Sequence, residues 1–183
     1  MACAESPNEG PGCCLARVDY QWPWTQVIAD FKFHGQTAWA REMARMMLEQ
    51  HGARALLDAS DGMIAIPLSR SRLTERGYNQ AWELARQLQK ATRVPLWPTV
   101  LVRHDPQRLQ PELPRAQRLE HAALAFSVQP EALDILHDRT LVLIDDVMTT
   151  GATLQAATRR LIEAGAREVH ALVFARTPRP ALA

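Results

Sequence analysis

Short apolar runs alternate with longer amphipathic segments over most of this chain. Four runs have the length and the flanking residues of buried strands. They lie at 63–67, 99–103, 140–144 and 168–176, and a shorter strand is predicted at 125–128. Two segments, 79–92 and 152–166, have helical periodicity, with inward positions at Trp82, Leu84, Ala85 and Leu88 and at Leu154, Ala157, Leu161 and Ile162. Strands that alternate with helices predict an α/β fold, a mostly parallel sheet with helices on both faces.

The N-terminal third of the sequence predicts a flexible start followed by helices. Residues 1–16 are rich in glycine and proline, which predicts flexibility. One helix is predicted within 18–35, with Val27, Ile28 and Phe31 inward and Gly35 at its end. A second is predicted over 37–52, with Thr37 as N-cap, Gly52 as its stop and a stripe of core residues at Trp39, Met43, Met46 and Met47.

Two polar segments interrupt the pattern and predict loops. The first, 68–80, follows the strand that ends at Pro67. The second, 104–124, contains several arginines and prolines and is long enough to be a functional lid or a disordered loop. The predicted organisation is a flexible N-terminus at 1–16, a helical hood at 17–60, a core at 61–176 and a tail at 177–183.

The composition changes this picture little. The chain is 47% apolar without a run long enough to cross a membrane, and its first residues do not resemble a signal peptide, which predicts a soluble, cytoplasmic protein with no membrane partner. The formal net charge of +1 indicates no general attraction to polyanions.

Arginine accounts for nearly all of the positive charge, since only Lys32 and Lys90 are lysines. The arginines form two clusters, at Arg70, Arg72 and Arg76 and at Arg103, Arg108, Arg115 and Arg118. Arginine suits bidentate recognition of phosphate, although a genome-wide preference for arginine codons is the alternative explanation. The cysteines Cys3, Cys13 and Cys14 lack paired spacing and nearby histidines, so zinc is not expected in this chain.

The segment LVLIDDVMTTGAT, 141–153, carries the strongest chemical signal. In an open α/β sheet, ligands bind beyond the carboxyl ends of the strands, where Asp145 and Asp146 are predicted to lie. The following threonines and Gly151 open a helix, whose free N–H groups suit a phosphate. Ionised carboxylates only accept hydrogen bonds, so the aspartates suit a vicinal diol beside that phosphate. A divalent metal ion bridging to the diol is one alternative; the other is that Asp146 caps the helix and Asp145 lies at a solvated strand end.

The segment IDDVMTTGAT closely resembles the 5-phosphoribosyl-1-pyrophosphate (PRPP) binding motif of type I phosphoribosyltransferases. Upstream, IPLSRSRLTERGYNQAWELA and FKFHG resemble elements of the ComF/GntX branch. A later segment, RAQRLEHAALAF, resembles a third element of that branch, with His121 where asparagine is expected. The resemblance covers roughly 14–176 and implies a type I phosphoribosyltransferase-like parallel sheet with helices on both faces and a small N-terminal hood.

The resemblance also implies an activity, the transfer of the phosphoribosyl group from PRPP to an unknown acceptor with release of pyrophosphate. The implied catalytic residues are Asp145, Asp146 and Arg76. The implied phosphate-binding residues are Met148, Thr149, Thr150, Gly151, Ala152 and Thr153 for the 5-phosphate, and Leu68, Ser69, Arg70 and Arg72 for the pyrophosphate. Arg103 and Arg118 would reach in from a lid at 104–120. Mg²⁺ is expected on the pyrophosphate and diol oxygens, without a side-chain metal site.

Several alternatives stay open at this level. The chain could be a non-catalytic PRPP-binding or single-stranded-DNA-associated accessory protein of natural transformation, with competence helicase-type proteins as partners and an oligomer compatible with the sequence. A different sugar-phosphate enzyme is a third possibility.

The roles of several single residues also stay open. Tyr78 could stack on a ligand or pack, and Asn79 is expected to cap a helix. Lys32 could act in the site or pack its stem with the charge in solvent. The hood residues Trp22, Trp24 and Trp39 could stack on a base or pack.

Overall fold

A computed structural model describes residues 10–33, 36–105 and 125–178 of the chain. Six strands are present in the described part, namely β1 (Cys14–Asp19), β2 (Gly62–Ala65), β3 (Leu101–Arg103), β4 (Phe126–Val128), β5 (Thr140–Met148) and β6 (Glu168–Arg176). Four of them form a parallel sheet in the order β1-β6-β5-β2. The other two, β3 and β4, form a separate antiparallel pair.

The helices cover both faces of the parallel sheet. They are α1 (Trp24–Phe33), α2 (Trp39–Glu49), α3 (Ala53–Asp58), α4 (Arg70–Arg76), α5 (Gln80–Thr92), α6 (Leu133–Leu136) and α7 (Ala152–Glu163), with a 3-10 turn at Pro130–Ala132. Residues of α1, α2, α3 and α5 pack with Val142 and Ile144 of β5 on one face. Residues of α6 and α7 pack with Leu141 and Leu143 on the other. The predicted α/β fold with a parallel sheet between helices is therefore confirmed.

The two central strands of the sheet, β5 and β6, lie where the sequence predicted buried strands. Residues Leu141 to Ile144 of β5 and Ala171 to Ala175 of β6 are fully buried, because each face of these strands meets a helical layer. A strand buried on both faces reads as a continuous apolar run, which is how both were recognised. The strand β5 extends past Ile144 to Met148, so Asp145 and Asp146 belong to the strand itself.

Helix α5 confirms the predicted cap at Asn79. The Asn79 Oδ1 atom accepts hydrogen bonds from the backbone N–H groups of Ala81 at 3.0 Å and Trp82 at 3.4 Å. Its Nδ2 atom donates to the Ile66 carbonyl oxygen at 3.0 Å. A side-chain oxygen at this position satisfies N–H groups that have no partner within the helix. Asn79 therefore fixes the start of α5 against the end of β2.

Two predictions about irregular segments were wrong. The expected loop at 68–80 contains α4, which ends at Gly77 in a left-handed conformation with φ of +77°. None of the residues of α4 is buried, so it lacks the apolar stripe by which helices are recognised. The expected flexible start at 1–16 already contains the beginning of β1, because Cys14, Leu15 and Ala16 pair with β6.

Two local predictions also need correction. Thr37 is not the N-cap of α2, because Ala38 occupies that position and no side-chain cap bond forms there. Ile162 is 42% exposed rather than inward. By contrast, the helices α1 to α3, in the segment 17–60 predicted as a hood, share one hydrophobic core with α5 and the sheet. Trp24 packs edge-on against Phe174 at 5.5 Å between ring centres, which is the packing alternative left open for it. The described residues include no helix long and apolar enough to span a membrane.

Candidate functional site

A polar cavity of about 220 Å³ lies where β5 gives way to α7. Asp145 and Asp146 line it from the strand, and Thr149 and Thr153 line it from the turn and helix that follow. Side chains from α1, α4, α5 and β3 complete the wall. The carboxyl ends of parallel strands are the usual place for a ligand in this type of fold, so the position agrees with the sequence-based expectation.

The two adjacent carboxylates are the most constrained groups of the cavity. The Asp146 N–H donates to Asp145 Oδ1 at 2.9 Å, and Asp146 is only 7% exposed. Burial raises the pKa of Asp145 well above its ordinary value, and the neighbouring charge of Asp146 raises it further. The Asp146 N–H and the positive charge of Lys32 act in the opposite direction on the same pKa. Ionising Asp145 therefore costs free energy, and the Asp146 N–H and the Lys32 charge reduce that cost.

Lys32, on the last turn of α1, forms an ion pair with Asp146. Its Nζ atom lies 2.9 Å from Asp146 Oδ2, and the two side chains are 18% and 9% exposed. Lys32 also lines the cavity. Its charge is therefore directed into the site, and the alternative that it points to solvent is wrong.

The turn before α7 presents part of the predicted phosphate loop. Thr149 and Thr153 line the cavity, whereas Met148, Thr150, Gly151 and Ala152 do not. Gly151 adopts the left-handed conformation, with φ of +81°, and immediately precedes α7. Thr150 Oγ1 accepts a bond from Ala152 N–H at 3.4 Å, and Met148 Sδ lies 3.5 Å from Cys14 Sγ. The Thr150 side chain therefore supports the turn, and the Met148 side chain contacts the sheet at β1.

The first arginine cluster divides between the cavity and the surface. Arg72 and Arg76 of α4 line the cavity together with Leu68. Arg70 is exposed and is not among the lining residues, while Ser69 is buried and its Oγ lies 3.1 Å from Ser71 Oγ. Two of the three predicted arginines therefore line the cavity, because Arg72 and Arg76 are four residues apart on one face of α4, whereas Arg70, two residues before Arg72, lies on the opposite face.

Arg76 is the more firmly held of these two arginines. Its Nη1 donates to Gln80 Oε1 at 3.1 Å, and its guanidinium carbon lies 5.2 Å from the centre of the Phe33 ring. Within the described part of the chain, its buried Nε has no hydrogen-bond partner. A buried donor without a partner is costly unless a ligand or water satisfies it. This donor is consistent with an anion-binding role for Arg76.

Arg103 of β3 also lines the cavity, and its guanidinium carbon lies 5.3 Å from the centre of the Phe126 ring. Burial lowers the pKa of Arg103, and the charge of Arg72 lowers it further, because cations from β3 and α4 converge here. The rest of the predicted lid, 106–120 with Arg118, lies outside the described residues.

Several residues that line the cavity were not predicted as part of the site, namely Tyr20, Ile66, Asn79, Gln80, Ala81 and Val147. Tyr20 lies outside the recognised motifs, Gln80 lies within the RGYNQ element but was given no role there, and Asn79 lines the cavity in addition to capping α5. Tyr78 instead packs against Phe31, at 5.9 Å between ring centres, and burial raises its pKa. Among the residues that the structure describes, no group of three or more His, Cys, Asp or Glu side chains is arranged to hold a metal ion.

Known proteins share this fold and sequence pattern. Residues 73–183 match the phosphoribosyl transferase domain model. The chain is 31% identical over 160 residues to competence protein F of Haemophilus influenzae, which covers 86% of this chain and 69% of that protein. It is 35% identical over 103 residues to competence protein ComFC of Bacillus subtilis, which covers 56% of this chain and 39% of that protein.

A solved structure supports the same fold. The allosteric regulatory enzyme of purine biosynthesis superposes with a TM-score of 0.51 and 16% identity, over 79% of this chain and 29% of that one. The parallel sheet, the cavity at the end of β5 and the domain match define a phosphoribosyltransferase-type protein. Within that class the chain belongs to the competence protein F family.

Proposed function

We propose that this protein binds PRPP in the cavity at the end of β5 and transfers its phosphoribosyl group to an acceptor, with release of pyrophosphate. The observation that carries the proposal is the composition of that one cavity. Two carboxylates, two threonines and three arginines line it from four different elements or their flanking turns. This combination suits a ligand with a diol between two anionic groups.

Each part of PRPP has a matching group. The 5-phosphate would lie at the start of α7, where helix N–H groups and the Thr149 and Thr153 hydroxyls can donate to it. The ribose hydroxyls would donate to Asp145 and Asp146. The pyrophosphate would meet Arg72 and Arg76, whose planar guanidinium groups suit bidentate bonds to phosphate oxygens. Mg²⁺ would enter the site as part of the substrate and would neutralise charge on the pyrophosphate.

The transfer itself would draw on the same charges. The bond between the anomeric carbon and the pyrophosphate oxygen breaks, the electron pair leaves with pyrophosphate, and the acceptor forms a new bond to that carbon. Positive charge develops on the anomeric carbon and ring oxygen, where the carboxylates stabilise it. Negative charge grows on the leaving pyrophosphate, where Arg72, Arg76 and Arg103 stabilise it. Arginines that converge before the reaction need no reorganisation during it.

We further propose a role in the handling of DNA taken up by the cell. Its support is the family to which the chain belongs, since the matched proteins of Haemophilus influenzae and Bacillus subtilis are both named competence proteins. A non-catalytic form of this proposal keeps PRPP binding but replaces transfer with a sensing role or an association with single-stranded DNA. The two forms differ in turnover, so they are separable by experiment.

Calorimetry with PRPP and Mg²⁺ tests the binding proposal. The double variant Asp145→Asn with Asp146→Asn should abolish binding, because amides can donate as well as accept and carry no charge. Unchanged affinity would refute the diol assignment. Pyrophosphate release during a screen of bases and amines tests transfer; binding without turnover on any acceptor would favour the accessory role. Mobility of single-stranded DNA at low salt tests the DNA association.

A further inference from the structure

Lys32 connects the N-terminal helices to the carboxylates of the cavity. It lies in the last turn of α1, lines the cavity and pairs with Asp146 at 2.9 Å. We propose that Lys32 is a positioning residue of the ligand site, which keeps the Asp145–Asp146 pair charged and oriented to accept hydrogen bonds from a sugar diol. This inference rests on the proposed function and assigns one more residue to it.

The carboxylate pair needs a counter-ion because of where it lies. Two adjacent acidic groups in a desolvated position favour uptake of a proton, which would turn one acceptor into a donor. In the described part of the chain, Lys32 is the one cation within 4.0 Å of either carboxylate. The other charged groups facing the pair across the cavity are more distant, namely Arg72 and Arg76 of α4 and Arg103 of β3, with Tyr20 and Tyr78 as the nearby tyrosines.

The ammonium group of Lys32 is held in place by the packing of α1. Phe31, the preceding residue, is fully buried and contacts Tyr78, while Phe33, the following residue, lies 5.2 Å from the Arg76 guanidinium carbon. The last turn of α1 therefore contacts the carboxylate side of the cavity through Lys32 and the arginine side through Phe33. A lysine at the end of a helix is also favoured by the helix dipole.

The charge balance explains why one lysine is suitable. When both carboxylates are ionised, they and the one ammonium leave a net single negative charge beside the sugar position. That is enough to stabilise a developing positive charge on the sugar, but it repels the two anionic groups of PRPP less than an unpaired carboxylate pair would. Lys32 would thus allow the aspartates to remain ionised next to a highly anionic ligand.

The first test compares PRPP affinity across pH for Lys32→Met, Lys32→Arg and the wild type. Removing Lys32 raises the pKa of Asp145 further, because the lysine charge acts to lower it. Lys32→Met should therefore bind at least about tenfold more weakly at neutral pH and recover part of that loss at higher pH, because Asp145 then ionises without the lysine. Lys32→Arg should retain most of the affinity. Lys90→Met is the matched control, since Lys90 is exposed on α5 and is the only other lysine.

A second test needs no ligand. Trace acetylation, followed by mass spectrometry of the two lysine peptides, compares the reactivity of Lys32 and Lys90. An ammonium held against a buried carboxylate should react at least about tenfold more slowly than an exposed one. Asp146→Asn should increase the reactivity of Lys32 and leave that of Lys90 unchanged.

The outcomes separate this inference from the proposed function. If the wild type binds PRPP and Lys32→Met binds equally well at every pH, the inference is wrong and the proposed function stands. A wild type that does not bind PRPP refutes the proposed function. In that case the acetylation result tests only the ion pair of Lys32 with Asp146. Equal reactivity of the two lysines in the wild type overturns the ion pair on which the inference depends.

Discussion

The guanidinium carbon of Arg76 lies 5.2 Å from the centre of the Phe33 ring, and this contact connects the end of α4 to the end of α1. Phe33 is 59% exposed, so it contributes little to the hydrophobic core. Its proximity to a cavity-lining arginine suggests that Phe33 orients the guanidinium for an anion.

Phe33→Leu should therefore weaken pyrophosphate binding about two- to fivefold, the loss expected for a cation–π contact at an exposed site. Arg76→Lys should weaken it by about tenfold or more, because lysine keeps the charge but cannot form two parallel bonds. Calorimetry with pyrophosphate and Mg²⁺ measures both effects. Phe33→Tyr keeps an aromatic ring and is the control; a Phe33→Leu protein with wild-type affinity would show that the contact has no role in binding.

Asp145→Asn should separate function from stability. A carboxyl whose pKa is raised in the folded protein binds protons more strongly there than in the unfolded chain, so ionising it at neutral pH costs stability. The asparagine variant should therefore unfold at a higher temperature than the wild type at neutral pH. Its PRPP affinity should fall by about tenfold or more, since a charged acceptor is lost.

The pH dependence supplies the check on this assignment. The stability advantage of Asp145→Asn should shrink as the pH falls towards the acid range, where the wild-type carboxyl becomes protonated and no longer pays for its burial. Thermal unfolding at several pH values measures this difference. An advantage that is constant with pH, or a less stable variant at neutral pH, contradicts the raised pKa of Asp145.

The sequence predicted best the elements whose burial is uniform. The runs that became β5 and β6 are covered on both faces, so nearly every residue is apolar and the pattern is unambiguous. Helix α4 was missed because all of its residues remain at least partly accessible, which removes the periodic signal. The strand β1 was missed because it begins directly after a segment rich in glycine and proline, and its pairing with β6 is set by tertiary contacts.

For the candidate site, the sequence predicted the residues of the acidic segment and the three cavity-lining arginines, and it missed a contact between distant segments. Asp145, Asp146, Thr149 and Thr153 lie in one continuous segment, so a single strand and turn place them together. The pairing of Lys32 with Asp146 joins residues far apart in sequence, and no spacing rule predicts it. Which arginines of α4 face the cavity also depends on how that helix is rotated. The sequence did not predict a helix at α4, so it could not indicate which of its arginines face the cavity.

Gly151→Ala should disturb the phosphate loop without a steric clash. A Cβ atom added at Gly151 would lie 3.8 Å from Met148 Sδ, an ordinary contact, so the cost comes from its φ of +81°. That conformation costs a residue with a Cβ atom about 1–2 kcal/mol. If the turn relaxes to relieve this strain, Thr149 and Thr153 shift, and affinity for ribose 5-phosphate should fall severalfold.

Gly165→Ala is the matched control for that change. Gly165 has a φ of +101° and follows the other end of α7, where an added Cβ atom would again meet only an ordinary contact, 3.7 Å from His137. Denaturant unfolding should show a similar loss of about 1–2 kcal/mol for both variants, while calorimetry should show weaker ribose 5-phosphate binding for Gly151→Ala alone. Equal affinities in the two variants would mean that the left-handed turn at Gly151 is structural only.

Asp61 provides a pH-dependent contribution to stability away from the cavity. Its Oδ2 accepts a bond from Thr140 N–H at 2.8 Å and its Oδ1 from Arg139 Nη1 at 3.0 Å, at the start of β5. These bonds lower the pKa of Asp61, and the bond from the Thr140 N–H has the largest effect.

Asp61→Asn should lower the free energy of unfolding by about 1 kcal/mol at neutral pH. A lowered pKa means that this contribution is fully present above about pH 4 and is lost as the pH falls through the folded-state value. Chemical denaturation at neutral and acid pH measures it, with Asp138→Asn, at an exposed pair 4.0 Å from Arg167, as a control expected to change little. A deficit in Asp61→Asn that persists unchanged in acid would show that the carboxylate charge is not its source.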